Sequence, residues 1–302
     1  MLKKNFDHFN ERHDIVLSLI VTTYNRPKEL QRFLDSISNQ QYKHKFEIIL
    51  INQGSPDINI KRLFEQSDWQ LIECNSQIPL SVARNKGMEI YRGKLIGFPD
   101  DDCWYPPGFI DGIIEKFDQY ELYEAICVSV FDPIQNKTYG KRPIDLCCDL
   151  NFKNVIQLPV SVGIFVRTAI IKKIALRFNE TLGAGTFYGG GEETAFVCSV
   201  LKSGARVIYD GSLSVYHELD DYSQISLEKV KKYSMGYGYI AGSILVDKRY
   251  EAIPSFLYFI IKSVAALLIR SYKKRYRNIY STRLEFFFLG IFEAFKNENN
   301  IF

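Results

Sequence analysis

From Ile15 to Thr22 (IVLSLIVT) the chain is an almost unbroken β-branched apolar run, the pattern of a strand buried on both faces of a parallel sheet. Lys28 to Asn39 then sets Leu30, Phe33, Leu34 and Ile37 at helical spacing, and Phe46 to Ile51 returns to a buried strand. A βαβ opening of this kind implies a parallel sheet with a right-handed crossover. The alternation continues with a helix over Asp57–Gln66, a short strand over Trp69–Cys74, a helix over Leu80–Tyr91 and a strand over Lys94–Phe98. Toward Leu219 the signals shorten to strands at Ala125–Phe131, Val160–Val166 and Ala205–Tyr209, with an apolar helical stretch from Glu192 through Leu201. Past Tyr222 helical and aromatic patterns dominate. The expectation is an α/β domain over 15–221, its mainly parallel mixed sheet flanked by helices, with an N-terminal extension over 1–14 and a helical region over 222–302.

In open sheets of this type ligands bind beyond the carboxyl ends of the strands, which makes Thr22 to Arg26, Asn52 to Ser55 and Asp100 to Asp102 the first suspects. None of these turns carries GxGxxG or GxxxxGK[ST], which argues against a dinucleotide or P-loop site. Asp100, Asp101 and Asp102 follow the strand LIGF directly, and three adjacent carboxylates repel unless a cation compensates them. A divalent ion, Mn2+ or Mg2+, does so economically and bridges the phosphates of a nucleotide diphosphate. Asp102 is the expected direct ligand, with Asp100 on the ribose or behind the metal. A solvated acidic turn is the alternative.

The segments VTTYNRP, PLSVARNKG, FPDDDCWYPPGF and GAGTFYGGGEETAF, in this order and at these separations, together resemble the family 2 glycosyltransferases over roughly Leu17 to Leu219. The resemblance implies a GT-A fold, a DxD motif holding metal and donor diphosphate, and inversion at the anomeric carbon. It also implies that Thr22 and Tyr24 help seat the nucleotide base, with Arg84 and Asn85 beside it, and that Glu193 is the base while Glu192 binds acceptor or sugar hydroxyls.

Inversion needs one general base, placed to take the acceptor proton opposite the leaving diphosphate. Glu192-Glu193 is the candidate pair: it follows Gly189, Gly190 and Gly191, which would let a loop approach the donor closely, and it opens a helix. Acids at a helix N-terminus also complement the macrodipole, so the pair alone has a second explanation. His217, in SVYHELDD, ends a strand and could supply an imidazole to the same metal or contact the diphosphate. Where the family commonly has an Asp pair before Gly-Ser, this chain has Asn52-Gln53, which leaves the base open with uracil as the default.

A net charge of +3 gives no case for nucleic acid, although 22 Phe and 19 Tyr point to an interface or a membrane surface. The six cysteines have no CxxC spacing and read as buried thiols of a reducing compartment. Met1 to Asp14 lacks the apolar core of a signal peptide, which places the chain in the cytoplasm. Ser255 to Arg277 joins FLYFII and VAALLI around Lys262 and ends in Arg270, Lys273, Lys274, Arg275 and Arg277. Lys262 leaves the run short of a span, and Ser255, Lys262, Arg270 and Lys273 form one polar stripe on a helical wheel. An amphipathic helix on the inner face of the cell membrane is the expectation, with a core or dimer helix as its rival.

The sequence thus predicts an inverting transferase that moves a sugar from a nucleotide-diphosphate sugar to a glycan or lipid-linked acceptor in surface polysaccharide synthesis. The alternative is a non-catalytic subunit that binds a nucleotide sugar or scaffolds a synthase complex.

Overall fold

The computed structural model describes residues 15–38, 40, 42–55, 58–65, 67–74, 76–219, 224–297 and 302. The expected extension over 1–14 and the boundary at Tyr222 lie outside them.

Strand β1 (Leu17–Thr23) is buried at all seven positions, as an apolar run between two covering layers must be. Helix α1 (Pro27–Ser38) buries Leu30, Phe33, Leu34 and Ile37 on one face, with proline at its first position where no N–H is missed. Then come β2 (Phe46–Asn52), α2 (Ile58–Glu65), β3 (Gln70–Glu73), α3 (Leu80–Gly87) and β4 (Leu95–Gly97), all where the periodicity places them. Helix α3 ends one turn before the expected Tyr91. Gly87 lies so close to Ile20 that a Cβ would come within 2.4 Å of it, and the chain beyond switches to tight turns.

The second half departs further from the sequence reading. It contains β5 (Cys103–Trp104), α4 (Phe109–Gln119), β6 (Ala125–Asp132), β7 (Lys137–Thr138), β8 (Cys147–Leu150), β9 (Ile164–Arg167), α5 (Thr168–Ile174), α6 (Glu192–Lys202) and β10 (Val207–His217). The expected strand at Val160 begins instead as a 3-10 turn, Ser161–Gly163. β10 runs eight residues past its expected end at Tyr209, through a register shift between Asp210 and Ser214 where the Asp210 carboxylate binds Ser212 and Lys116. That extension pairs His217 with Cys103, antiparallel.

The sheet order is β3-β2-β1-β4-β9-β6-β10-β5, with β7 on β6 and β8 on β10. β1 to β4 are mutually parallel, and β9 runs antiparallel between β4 and β6. One apolar layer, including Phe33, Ile113 and Phe117, packs α1 and α4 on one face, and the other, with Phe98, Phe178 and Phe196, packs α3 and α6 on the opposite face. The carboxyl ends of β1, β2 and β4 consequently open on one edge of the sandwich.

Helices α7 (Leu227–Val246), α8 (Ile253–Arg270) and α9 (Lys274–Asn297) follow. α7 and α9 meet along glycines: a Cβ on Gly238 would lie 2.0 Å from the Phe287 carbonyl, and one on Gly290 would lie 2.3 Å from that of Met235. The run expected as one amphipathic helix over Ser255–Arg277 is divided by a turn at Ser271–Lys273, and its expected polar stripe is split, Ser255 being buried and Lys262, Arg270 and Lys273 exposed. Ser255 and Ser263 are buried, Ser255 through a hydrogen bond to the Lys153 carbonyl, whereas Leu257, Ile261, Leu268 and Ile269 are exposed. Tyr250–Arg270, 21 residues containing an 18-residue stretch of mean hydropathy 2.0, also has the length and composition to cross a membrane, which the break at Lys262 does not prevent. The six cysteines are free. Cys103, Cys127 and Cys198 are buried as expected, Cys74 and Cys148 are half-buried, and Cys147 is exposed.

Candidate active site

Three carboxylates in a row remain folded here because each meets a cation. Thr22 at the end of β1 bridges Asp100, so the aspartates lie directly beside the β1–α1 turn. Asp100 Oδ1 accepts from Arg84 Nη2 at 2.8 Å. Asp101 accepts from Thr23 Oγ1 at 2.7 Å and from Arg26 Nη1 at 2.8 Å. Asp102 Oδ2 accepts from Arg26 Nη2 at 2.7 Å, and its Oδ1 lies 3.1 Å from His217 Nε2.

Charge and burial sort the three. Burial is the largest influence on Asp101 and pushes its pKa up to about 6, despite Thr23 and Arg26. Burial also opposes ionisation of Asp102, but His217 and then Arg26 outweigh it and hold that carboxyl well below the usual range. The same pairing raises the imidazole of His217 against the burial that would lower it. His217 Nδ1 donates to the Glu218 carbonyl at 2.5 Å, which turns Nε2 toward Asp102. Arg32 closes this side, donating to the Asp102 carbonyl at 2.7 Å and to Glu218 while lying over the Trp104 ring. With Lys28 and Glu29 these residues line a cavity of about 570 Å³.

Arg84 makes contacts of which the sequence carries no sign. Expected beside the base, it is completely buried and joins the aspartates to the glutamate pair, its Nη1 lying 3.3 Å from Glu192 Oε1. Helix α3 brings it there because Ser81 Oγ donates to the Leu182 carbonyl and Leu80 N–H to the Ala184 carbonyl, tying α3 to the loop that precedes the glutamates. Asn85, also expected beside the base, has its amide engaged with the backbone of Phe178 and with Glu180. Asn52 accepts from Gly54 N–H, Gln53 accepts from Ile78 N–H, and Tyr24 is exposed.

Glu192 and Glu193 form the first turn of α6, after Gly191 in the left-handed conformation at φ +93°. Glu192 is buried. Burial, then the neighbouring charge of Glu192, pushes the half-buried Glu193 up to about 8, overriding the helix terminus that would lower it. The glycines before the pair do something other than expected. A Cβ on Gly189 would lie 2.5 Å from Lys232 Cβ and one on Gly191 2.7 Å from Ile240, while Gly236 has room only for hydrogen against the Gly190 carbonyl. They admit helix α7 against the loop.

The candidate metal set, Asp102, Asp100 and His217, is not gathered at one point, because Asp100 is turned to Arg84. Among the described residues no three His, Cys, Asp or Glu side chains converge on a place for an ion. Asp102 and His217 do converge. Their 3.1 Å separation is the edge of an octahedron with ligands at about 2.1 Å, and hard ions of this size commonly take one or two protein ligands plus substrate phosphates.

A largely parallel sheet interrupted by one antiparallel strand, with acids gathered at its carboxyl edge, defines a GT-A fold. Residues 18–177 match the family model described as "Glycosyl transferase family 2". The chain belongs to that family. It is 32% identical over 116 residues to glycosyltransferase GlyA of Streptococcus pneumoniae, a match covering 37% of this chain and 16% of that protein. Mannosyltransferase PcManGT of Pyrobaculum calidifontis, solved with GDP-Man and Mn2+, superposes with a TM-score of 0.62 at 14% identity, covering 99% of this chain and 92% of that one. S. aureus TarS 1–349, solved with UDP-GlcNAc, gives a TM-score of 0.55 at 14% identity, covering 90% and 91%.

Proposed function

We propose that this chain is an inverting glycosyltransferase that moves a sugar from a nucleotide-diphosphate sugar, UDP-linked by default, to a glycan or lipid-linked acceptor in surface polysaccharide synthesis. The observation that carries it is the connected array Asp102–Arg26–Asp101 and Asp100–Arg84–Glu192, which sets a diphosphate-type site beside a carboxylate of raised pKa. Asp102 and His217 would hold Mn2+ or Mg2+, which supplies charge neutralisation at the diphosphate. Thr22, Tyr24 and Asn52 would seat the base, with Asn85 beside it, and the part of Asp100 left in water by Arg84 would meet the ribose. Glu193 takes the acceptor proton and Glu192 orients hydroxyls, a division that fits Glu193's affinity for a proton near neutral pH.

The acceptor half of the proposal rests on the exposed face of α8 and α9. Leu268 and Ile269 are each 73% exposed beside Arg270, with Lys273, Lys274, Arg275 and Arg277 following in the chain, and Phe292 and Phe295 are exposed farther along α9. Apolar insertion flanked by basic residues suits an anionic lipid surface, here the inner face of the cell membrane, with the chain otherwise cytoplasmic.

Thermal stabilisation by UDP- and GDP-sugars, with and without Mn2+, tests the donor reading. Binding to the native state alone raises the melting temperature with ligand concentration. A rise for one nucleotide sugar that needs the metal supports it, and no rise for any removes it.

A further inference from the structure

We propose that Arg26 is an exchangeable counter-cation: it holds Asp101 and Asp102 while the site is empty, and a divalent cation arriving with the nucleoside diphosphate displaces it from Asp102. This rests on the metal reading above. Both oxygens of Asp102 are engaged, Oδ2 by Arg26 at 2.7 Å and Oδ1 by His217 at 3.1 Å, so an ion meets a carboxylate already neutralised.

The three cations of the array are not equally free to leave. Arg84 is completely buried between two carboxylates, and its departure would strand both. His217 is anchored through Nδ1 to the Glu218 carbonyl. The Arg26 side chain is 44% exposed, and its guanidinium spans two carboxylates, so Nη2 can leave Asp102 toward the adjoining cavity, which Arg26 already lines, while Nη1 stays on the buried Asp101, which Thr23 Oγ1 also holds.

The backbone that carries Arg26 is fixed, which makes the motion one of the side chain alone. Asn25 takes a left-handed φ of +53°, and its Oδ1 accepts from Ser55 N–H at 3.2 Å. It presses so closely on Gly54 that a Cβ there would lie 2.3 Å from that oxygen. The turn is therefore clamped to the end of β2 while the guanidinium hangs over the aspartates. The exchange makes metal affinity depend on the donor: without phosphates to add ligands, an ion must compete with an internal cation for Asp102, and with them it prevails.

Mn2+ binding, followed by the electron paramagnetic resonance of the free ion, tests the exchange without any measurement of turnover. In the absence of nucleotide Arg26→Met should bind Mn2+ about tenfold or more tightly than the wild type, the effect of one unit charge near a divalent ion even under strong screening. Arg26→Lys, which keeps the charge, should stay near the wild type, and Asp102→Asn in the Arg26→Met background should abolish the gain. Two results overturn the exchange and leave the metal reading standing: wild type binds Mn2+ with UDP but Arg26→Met is no tighter without it, or the gain survives Asp102→Asn. Absence of Mn2+ binding in wild type with UDP and in Arg26→Met alike removes the metal reading and the exchange together.

Discussion

Arg84→Met is the most demanding perturbation of the array, because it removes one charge from the centre of a connected set while nearly conserving volume. The guanidinium is completely buried, 2.8 Å from Asp100 and 3.3 Å from Glu192, and lies over the Phe178 ring at 5.3 Å. Breaking a buried pair by removing one partner costs about 3–5 kcal/mol, since the stranded charge has no solvent to return to. Asp100 keeps 29% of its side chain in water and softens its share, whereas Glu192 keeps only 7%. The lower end of the range, about 3 kcal/mol, is therefore expected, equivalent to roughly 6–12 °C in melting temperature for a domain of this size.

The pH dependence separates this charge effect from simple loss of packing. Arg84 opposes the rise in Glu193's pKa, so the variant raises that group above about 8. A carboxyl whose folded pKa is raised contributes stability that is present below its unfolded value and lost as pH rises toward the folded one. The variant's deficit should accordingly stay constant from about pH 5 to about pH 7 and widen above about pH 8, where the wild-type carboxyl ionises and the variant's does not. Glu192→Gln added to Arg84→Met should recover part of the loss, because it removes the stranded charge. Scanning calorimetry of the single and double variants checks both points. A loss under about 2 °C that is equal at about pH 7 and about pH 9 would refute the reasoning, and Arg84 would then be a packing residue.

Glu193→Gln should cut turnover by about 10²- to 10⁴-fold with donor affinity nearly unchanged, measured by steady-state kinetics and calorimetric titration. In the wild type kcat/KM should rise with pH toward about 8, as the base loses its proton, and that limb should vanish in the variant. Asp102→Asn should abolish metal-dependent binding of UDP by titration calorimetry, and equal affinity with and without Mn2+ would remove Asp102 as a ligand. Replacing Leu268 and Ile269 by Glu should release the chain from anionic vesicles in a flotation assay while leaving its melting temperature within about 2 °C, since both side chains are exposed.

The first hundred residues were legible because the signals there are local. β1 and β2 are continuous apolar runs, and α1 buries the four positions its spacing selects, so periodicity alone sets the order of elements. β5, β7 and β8 were not legible: they are two to four residues long, exist by pairing with β10 or β6, and carry no pattern of their own. The Ser255–Arg277 helix was legible only in part. A helical wheel assumes one continuous helix and does not show which face meets a neighbour: here a turn at Ser271–Lys273 divides it, two serines lie against the protein, and Leu257, Ile261, Leu268 and Ile269 are exposed, as an interfacial helix needs.

The site shows the same boundary between local and non-local information. Asp100 to Asp102 and Glu192-Glu193 announce themselves as clusters of like charge, which is a property of neighbours in sequence. What compensates them is not. Arg84 and Glu192 are 108 residues apart, Arg26 and Asp102 are 76 apart, and only the fold brings them within hydrogen-bonding distance. The glycines were recognised as permitting a close approach to the donor, and the approach the structure shows is to α7. That helix touches the loop leading to Glu192 on one side and α9 on the other, through Gly236 and Gly238 respectively. The helical region is thus packed against the glutamate loop by backbone contact, and adding even one methyl group at Gly236 must move either α7 or the turn that begins α6.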